Sequence, residues 1–444
     1  GNFSTPWLKN ADEPSRKAAV VLKSGKGSSE WILSENESSP RFEQHARKGS
    51  FCFLPISANN SEEFLKKLGE LERDPELFES PKNFQYRAFQ DFQNTEAEFS
   101  MVLLAENPSK LKEEIIQAQK SVSRCFEDGK DWQTPSGSFF TTKPLGQEKI
   151  AFVYPGGFNT YVGSGNSLFE MDPELHERSL SYSSKIKTLL HPEFLFPQSP
   201  SIQSEEELKQ LQQQFYDSPN PMFESGISSA VLATQVMRNA FGIEPHAAFG
   251  YSMGEVSMLF SLGVWGSMDP MSEVLNASPL FHERIAGPMN SVREYWKLKD
   301  TDFQNESLWN WYTLRAEPEL VAKALEKRER VYLVLINTPQ EVVIAGEPSA
   351  CKELIEELKC ESHEIPVTDV VHCPPVQSEY EEIKKIHTNK VVDKPKVDFF
   401  SAADYTTTSL DSEILADNIA RFYGRTVDFS KLVEEVYRSG ARIF

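Results

Sequence analysis

The stretch "HAAFGYSMGEVSMLF", His246 to Phe260, decides how this chain is read. A short apolar run, Ala247 to Phe249, meets Gly250, and Ser252 stands between Gly250 and Gly254. A helix-like stretch follows. Strand, glycine turn and helix in that order raise a serine hydroxyl above the edge of a parallel sheet. The backbone N–H of Met253 then opens the helix and points to where a carbonyl oxygen would turn negative. Ser252 and Glu255 also spell S-x-x-E, so a capping box is expected at the helix start. A glycine-rich connection with a capping serine is the alternative.

A serine nucleophile needs a base, and the chain has eight histidines. Most lie in polar segments. His372 differs, because it closes the apolar run in "DVVHCPP" and two prolines follow it. It is expected at a strand end, aimed at the sheet edge that carries Ser252. A buried histidine bonded to backbone is the alternative there. His246 is too near Ser252 and on the strand expected to be buried, and Cys373 lacks the electropositive setting a thiolate needs.

Working outward, "KIAFVYPGG" (Lys149 to Gly157) reads as a strand entering a Pro-Gly-Gly turn. "GISSAVLATQVMRNAFGI" (Gly226 to Ile243) reads as an apolar helix laid against a sheet. Residues 313–366 spell strand, helix, strand, strand, helix, strand, the ferredoxin-like order, and read as an insertion. "TDVVHCPPV" and "KVDFFSAA" return to the first pattern. Residues 50–145 read as a small α/β unit, with Ser61 capping its first helix and Asn-Pro opening its last. Residues 1–40 hold only two strand-like runs, too few to fold alone.

With 444 residues the chain can hold two or three domains. A net charge of −20 argues against nucleic acid and anionic membrane surfaces as partners. Five widely spaced cysteines without a CxxC pair favour neither a disulfide framework nor a zinc site and fit a reducing cytoplasm. No signal-peptide core or membrane-length apolar run is present. The chain ends inside a strand-like run, "RSGARIF", as a piece of a longer polypeptide would.

These residues together resemble the acyltransferase domains of fatty acid and polyketide synthases, most of all those of polyunsaturated fatty acid synthases. The resemblance is closest from "NPMFESGISS" through "HAAFGYSMGEVSMLFSLGVW", and "DVVHCPP" matches the segment with the family's catalytic histidine. "YPGGFNTYVGSG" takes the place of the family's Pro-Gly-Gln-Gly turn. It implies an α/β-hydrolase-like parallel-sheet core with an inserted ferredoxin-like (βαββαβ) subdomain, preceded by a small α/β linker domain. The implied divisions are 1–40, a ketosynthase-like remnant; 41–147, the linker domain; 148–312 and 367–444, the large subdomain; and 313–366, the small one.

The resemblance further implies Ser252 as nucleophile, His372 as general base oriented by a main-chain carbonyl, and the N–H groups of Met253 and Gly157 as the oxyanion hole. No metal or bound cofactor is implied. The substrates would be acyl-CoA or phosphopantetheine-linked acyl groups, and the partners an acyl carrier protein and neighbouring ketosynthase- or chain-length-factor-like domains. Three departures bear on the acyl group. Malonyl-specific members carry an arginine about 25 residues after the serine to pair with the free carboxylate, where this chain has Ala277 and Ser278. Arg284 is the substitute to consider. Val371, in "DVVH", belongs to a four-residue form that is neither the malonyl nor the methylmalonyl one. Tyr251 replaces the usual histidine, and Gly157 the usual glutamine. The expectation is therefore transfer of an uncharged acyl group, with thioester hydrolysis and a non-catalytic docking domain as alternatives.

Overall fold

The computed structural model of the protein describes residues 8–13, 15–24, 27–34, 52–146, 148–172, 174–196, 204–299, 307–367 and 369–444. The chain divides into two compact units, Phe42–Gln147 and Gly1–Arg41 with Glu148–Phe444. In the latter, β1 (Lys17–Ser24) and β2 (Gly27–Ser34) form an antiparallel hairpin. The residues before it are tied down by Ala11 N–H, which donates to the Ser184 carbonyl at 2.7 Å.

The unit Phe42–Gln147 is an antiparallel sheet with helices packed against it. Its strands are β3 (Cys52–Ala58), β4 (Phe99–Ala105), β5 (Trp132–Gln133) and β6 (Phe139–Phe140), in the order β3–β4–β6–β5. Helices Ser61–Arg73 and Pro108–Asp128 present Phe64, Leu68, Leu111 and Ile115, all fully buried, to one core. Each such side chain contributes about 1.5 to 3 kcal/mol of burial. Asn107 caps the second helix, with Pro108 at its first position. The first helix is capped by Asn60, whose side chain accepts from Glu63 N–H, and not by Ser61 as the sequence suggested.

The larger unit is built on two sheets. β7 (Lys149–Tyr154) and β8 (Ala247–Gly250) pair in parallel at the centre of the first. The chain then leaves for an insertion, β9 (Asn310–Leu314), β10 (Val331–Thr338), β11 (Glu341–Gly346) and β12 (Ser362–Ile365). These are antiparallel in the order β12–β9–β11–β10, with helices Pro318–Leu325 and Pro348–Leu358. That is the ferredoxin-like arrangement read from the sequence. β13 (Asp398–Ser401), β14 (Thr406–Thr407), β15 (Val427–Asp428) and β16 (Ala441–Ile443) complete the chain.

The first sheet has the order β14–β13–β8–β7–β16, parallel except for β14. All four residues of β8 are buried, as a strand covered on both faces requires. Helix Pro219–Asn239 buries most of its length, and all eight residues of helix Gly254–Ser261 are buried. The short strands β14 and β15 fall outside the sequence reading. β15 pairs in parallel with β10, Leu335 opposite Val427, and so adds a fifth strand to the inserted sheet from the returning chain.

Candidate active site

β8 delivers the chain to Ser252 through a turn that only glycines can make. A Cβ on Gly250 would lie 2.0 Å from Glu255 N, and one on Gly254 would lie 2.1 Å from the Tyr154 carbonyl oxygen. Both clashes are with backbone, which cannot move aside. Ser252 itself is left-handed, with φ 54°, a conformation that costs a non-glycine residue about 1 to 3 kcal/mol and is held only by its surroundings.

Ser252 Oγ lies 2.7 Å from His372 Nε2. His372 Nδ1 lies 3.0 Å from the Phe422 carbonyl. A carbonyl can only accept, so Nδ1 carries the proton and Nε2 accepts from the serine hydroxyl. His372 N–H donates to the Tyr423 carbonyl at 2.7 Å, which fixes the backbone as well as the ring. The residue is 1% exposed. Burial pulls its pKa down to about 4, although the Phe422 carbonyl favours the charged form. The imidazole is therefore neutral and able to take a proton. His372 sits on a bend with φ 59°, ahead of the 3-10 turn Pro374–Glu379, and not at a strand end as the sequence suggested.

A cavity of about 320 Å³ opens on these two side chains. Gly157, Tyr251, Met253 and Val371 line it, with Phe158, Met222, Phe223, Phe281, Trp311, Leu335, Val343, Asp369 and Tyr423 among the other walls. The backbone N–H groups of Met253 and Gly157 donate to no other described residue. A strained serine, a neutral histidine in contact with it and two unengaged N–H groups on one cavity can carry out acyl transfer. Among the described residues no cluster of His, Cys, Asp and Glu is arranged to hold a metal ion, and no helix is long and apolar enough to cross a membrane.

Comparison with known proteins gives this arrangement a family. The chain is 30% identical over 356 residues, 77% of its length, to one of the subunits of the polyunsaturated fatty acid synthase of Thraustochytrium sp.. It is 23% identical over 293 residues, 64% of its length, to a mycocerosic acid synthase-like polyketide synthase of Mycolicibacterium smegmatis. It spans 17% and 12% of the lengths of these two relatives. The acyltransferase domain from module 8 of the salinomycin polyketide synthase superposes with a TM-score of 0.63 at 18% identity, covering 88% of this chain and 84% of that one. The acyltransferase domain of ZmaA gives 0.63 at 16%, covering 88% and 81%. No family model matches. The chain is thus related in sequence to polyunsaturated fatty acid and polyketide synthases and has the fold of polyketide synthase acyltransferase domains.

Within this acyltransferase fold the expected residues do not all converge. Arg284 is off the cavity. Pro279 is followed by a π-helical turn, Leu280–Arg284, that buries Leu280 and Phe281 and carries Arg284 away. There its two Nη groups grip Glu294 at 2.6 and 2.7 Å, and Nε and Nη2 reach Glu379 at 3.0 and 2.6 Å. It cannot also serve an acyl carboxylate. Ala277 is exposed, Ser278 is buried, and neither lines the cavity.

No capping box forms at the helix Gly254–Ser261 either. Ser252 Oγ faces His372, while the Glu255 carboxylate turns inward to accept from Ser401 Oγ at 2.5 Å and Ala402 N–H at 3.1 Å. Burial pushes its pKa up to about 7. His246, expected on a buried strand, is exposed at the far end of β8, with Nδ1 accepting from Ile150 N–H. Cys373 is buried, which pushes its thiol well above the usual range and leaves it unreactive.

Proposed function

We propose that this domain moves an uncharged acyl group from a CoA or carrier-protein thioester to a phosphopantetheine thiol, through an ester on Ser252. The observation that carries the reading is the 2.7 Å contact between Ser252 Oγ and a neutral His372 whose other nitrogen is held by a carbonyl.

In the first half, His372 Nε2 takes the hydroxyl proton as Ser252 Oγ bonds to the thioester carbon. The carbonyl oxygen, now negative, faces the Met253 and Gly157 N–H groups. The intermediate collapses, the carbon–sulfur bond breaks, and the departing sulfur takes the proton from His372. In the second half an incoming thiol gives its proton to His372 and its sulfur attacks the ester. Ser252 leaves and recovers that proton.

The acyl class follows from charge. No lysine or arginine is among the described residues lining the cavity, and Asp369 is. A malonyl carboxylate would enter without a cation to meet it, a burial that costs several kcal/mol. Tyr251 and Val371 fit as walls of the acyl site. An acyl carrier protein and the adjoining synthase domains are the partners this chemistry needs, in keeping with the multidomain relatives.

Intact-mass spectrometry after incubation with a series of acyl-CoAs tests the proposal. A Ser252-dependent adduct is expected with unbranched acyl donors and not with malonyl-CoA, and Ser252→Ala should abolish it. Faster loss of the adduct when holo carrier protein is added marks transfer. Loss at an unchanged rate marks hydrolysis. Absence of adduct with every donor overturns both.

A further inference from the structure

We infer that Tyr251, Asn337 and Glu341 form a clasp through which the inserted subdomain holds the nucleophile turn in shape. In the acyl-serine chemistry proposed above, on which this inference rests, the Tyr251 phenol is then a positioning group, beside the ring's place as a wall of the acyl site. Its O–H donates to Asn337 Oδ1 at 2.8 Å. Asn337 Nδ2 in turn donates to Glu341 Oε1 at 2.9 Å, which orients the amide with its oxygen toward the phenol. A register shift between Ile336 and Thr338 puts Asn337 in an irregularity of β10. Bulges of this kind re-aim a side chain and are common beside active sites.

The other end of Tyr251 is fixed just as firmly. Its N–H donates to the Tyr154 carbonyl at 2.9 Å. Its ring meets Phe429 edge-on with centroids 4.9 Å apart. The ring packs against Gly156, where an added Cβ would stand 2.7 Å from it. Ser252, at φ 54°, is the next residue along the chain. A left-handed serine persists only where its neighbours over-determine it, and the clasp supplies that constraint from an element of the fold outside β8 and its helix.

The test is a double-mutant cycle on the intact domain with Tyr251→Phe, Asn337→Ala and the double variant, and Gln340→Ala in the same hairpin as control. The rate constant for Ser252 acylation is measured at saturating donor, together with KM and the thermal midpoint. Each single variant should slow acylation about five- to tenfold, as expected for one lost hydrogen bond between half-buried groups, with KM little changed. The double variant should be no slower than either single one, and Gln340→Ala should match the wild type. Multiplicative losses, or a Tyr251→Phe protein that acylates at the wild-type rate, overturn the clasp.

A readout independent of donor separates this failure from that of the proposed function. Hydrogen exchange of amides 251–256 should quicken in both single variants. Unchanged exchange overturns the clasp even if no donor acylates the wild type, and quickened exchange in that case supports it while the acyltransfer reading falls.

Discussion

At the scale of single residues, the proposed acyl transfer makes the charge state of His372 control what Ser252 can do. Its pKa of about 4 means that the base stays unprotonated well below the ordinary histidine value of 6.5. The acid limb of kcat/KM for acylation should therefore lie below pH 6.5. A limb at or above that value would mean that the imidazole is solvated, contrary to its 1% exposure. His372→Ala should slow acylation by about 10² to 10⁴, the usual worth of a positioned general base, with the thermal midpoint recorded to separate chemistry from folding. The glycines around the serine make a second, independent expectation. Gly250→Ala and Gly254→Ala each drive a Cβ to about 2 Å from backbone atoms, so both should lower the thermal midpoint sharply or give no folded protein. A wild-type midpoint for either would refute the tight turn.

At the scale of elements, the helix Gly254–Ser261 is secured from behind by Glu255, whose carboxylate reaches the end of β13. Glu255→Ala leaves the Ser401 hydroxyl proton and Ala402 N–H without their acceptor beside a void and should cost about 2 to 3 kcal/mol in denaturant unfolding. Its pH dependence has a defined sign. The folded pKa, about 7, lies above the ordinary 4.5, so the folded state binds the proton more tightly. The resulting stabilisation is fully present below pH 4.5 and is lost as pH rises through 7. Glu255→Gln should flatten this decline between pH 4.5 and 7; an unaltered slope would mean that Glu255 is ionised throughout.

What could be read from the sequence at this scale, and what could not, has a physical pattern. The strand, turn and helix around Ser252 were readable because burial makes Ala247 to Ser261 apolar nearly throughout and the turn admits nothing but glycine at two places. Three of the four inserted strands, β9, β10 and β11, were readable because each carries its own run of β-branched and aromatic residues, and β12, Ser-His-Glu-Ile, because it follows the second helix of the repeated order. S-x-x-E misled because it fits a cap locally, whereas Ser401 and Ala402, far along the chain, decide where Glu255 points. Arg284 misled because burial of Leu280 and Phe281 sets the turn that carries it outward. His372 was found from its apolar run and prolines, but the carbonyl that orients it belongs to Phe422, in a helix whose sequence gives no sign of that role. The tie from Tyr251 to Asn337 had no sequence signal either, since a register shift in a hairpin is invisible before the strands pair.

At the scale of the whole molecule, the cavity sets a limit on the acyl group. A methylene takes about the room of a water molecule, roughly 30 Å³, so a cavity of about 320 Å³ admits about ten heavy atoms. Adduct formation across an acyl-CoA series should rise to medium chains and fall steeply beyond about ten carbons. Equal loading of palmitoyl and octanoyl groups would show that the inserted subdomain moves away from the core to admit longer chains. Several ties join the inserted sheet to the chain that follows it: β15 on β10, Thr426 Oγ1 on the Leu333 carbonyl at 2.6 Å, and Trp311 Nε1 on the Asp369 carbonyl at 2.9 Å.

The strand β15 also bears on how the protein is made. Synthesis proceeds from the N-terminus, so β10 emerges from the ribosome long before Val427 and Asp428 exist to pair with it. Until then the inserted sheet carries a bare edge of unpaired N–H and C=O groups, open to association with other nascent chains. That edge closes only when a two-residue strand from much later in the chain pairs with it. The same segment, from Phe422 to Asp428, brings the carbonyls that seat His372. In the proposed chemistry the base His372 therefore cannot be seated beside Ser252 until the segment from Phe422 to Asp428 has been made, well after Ser252 itself.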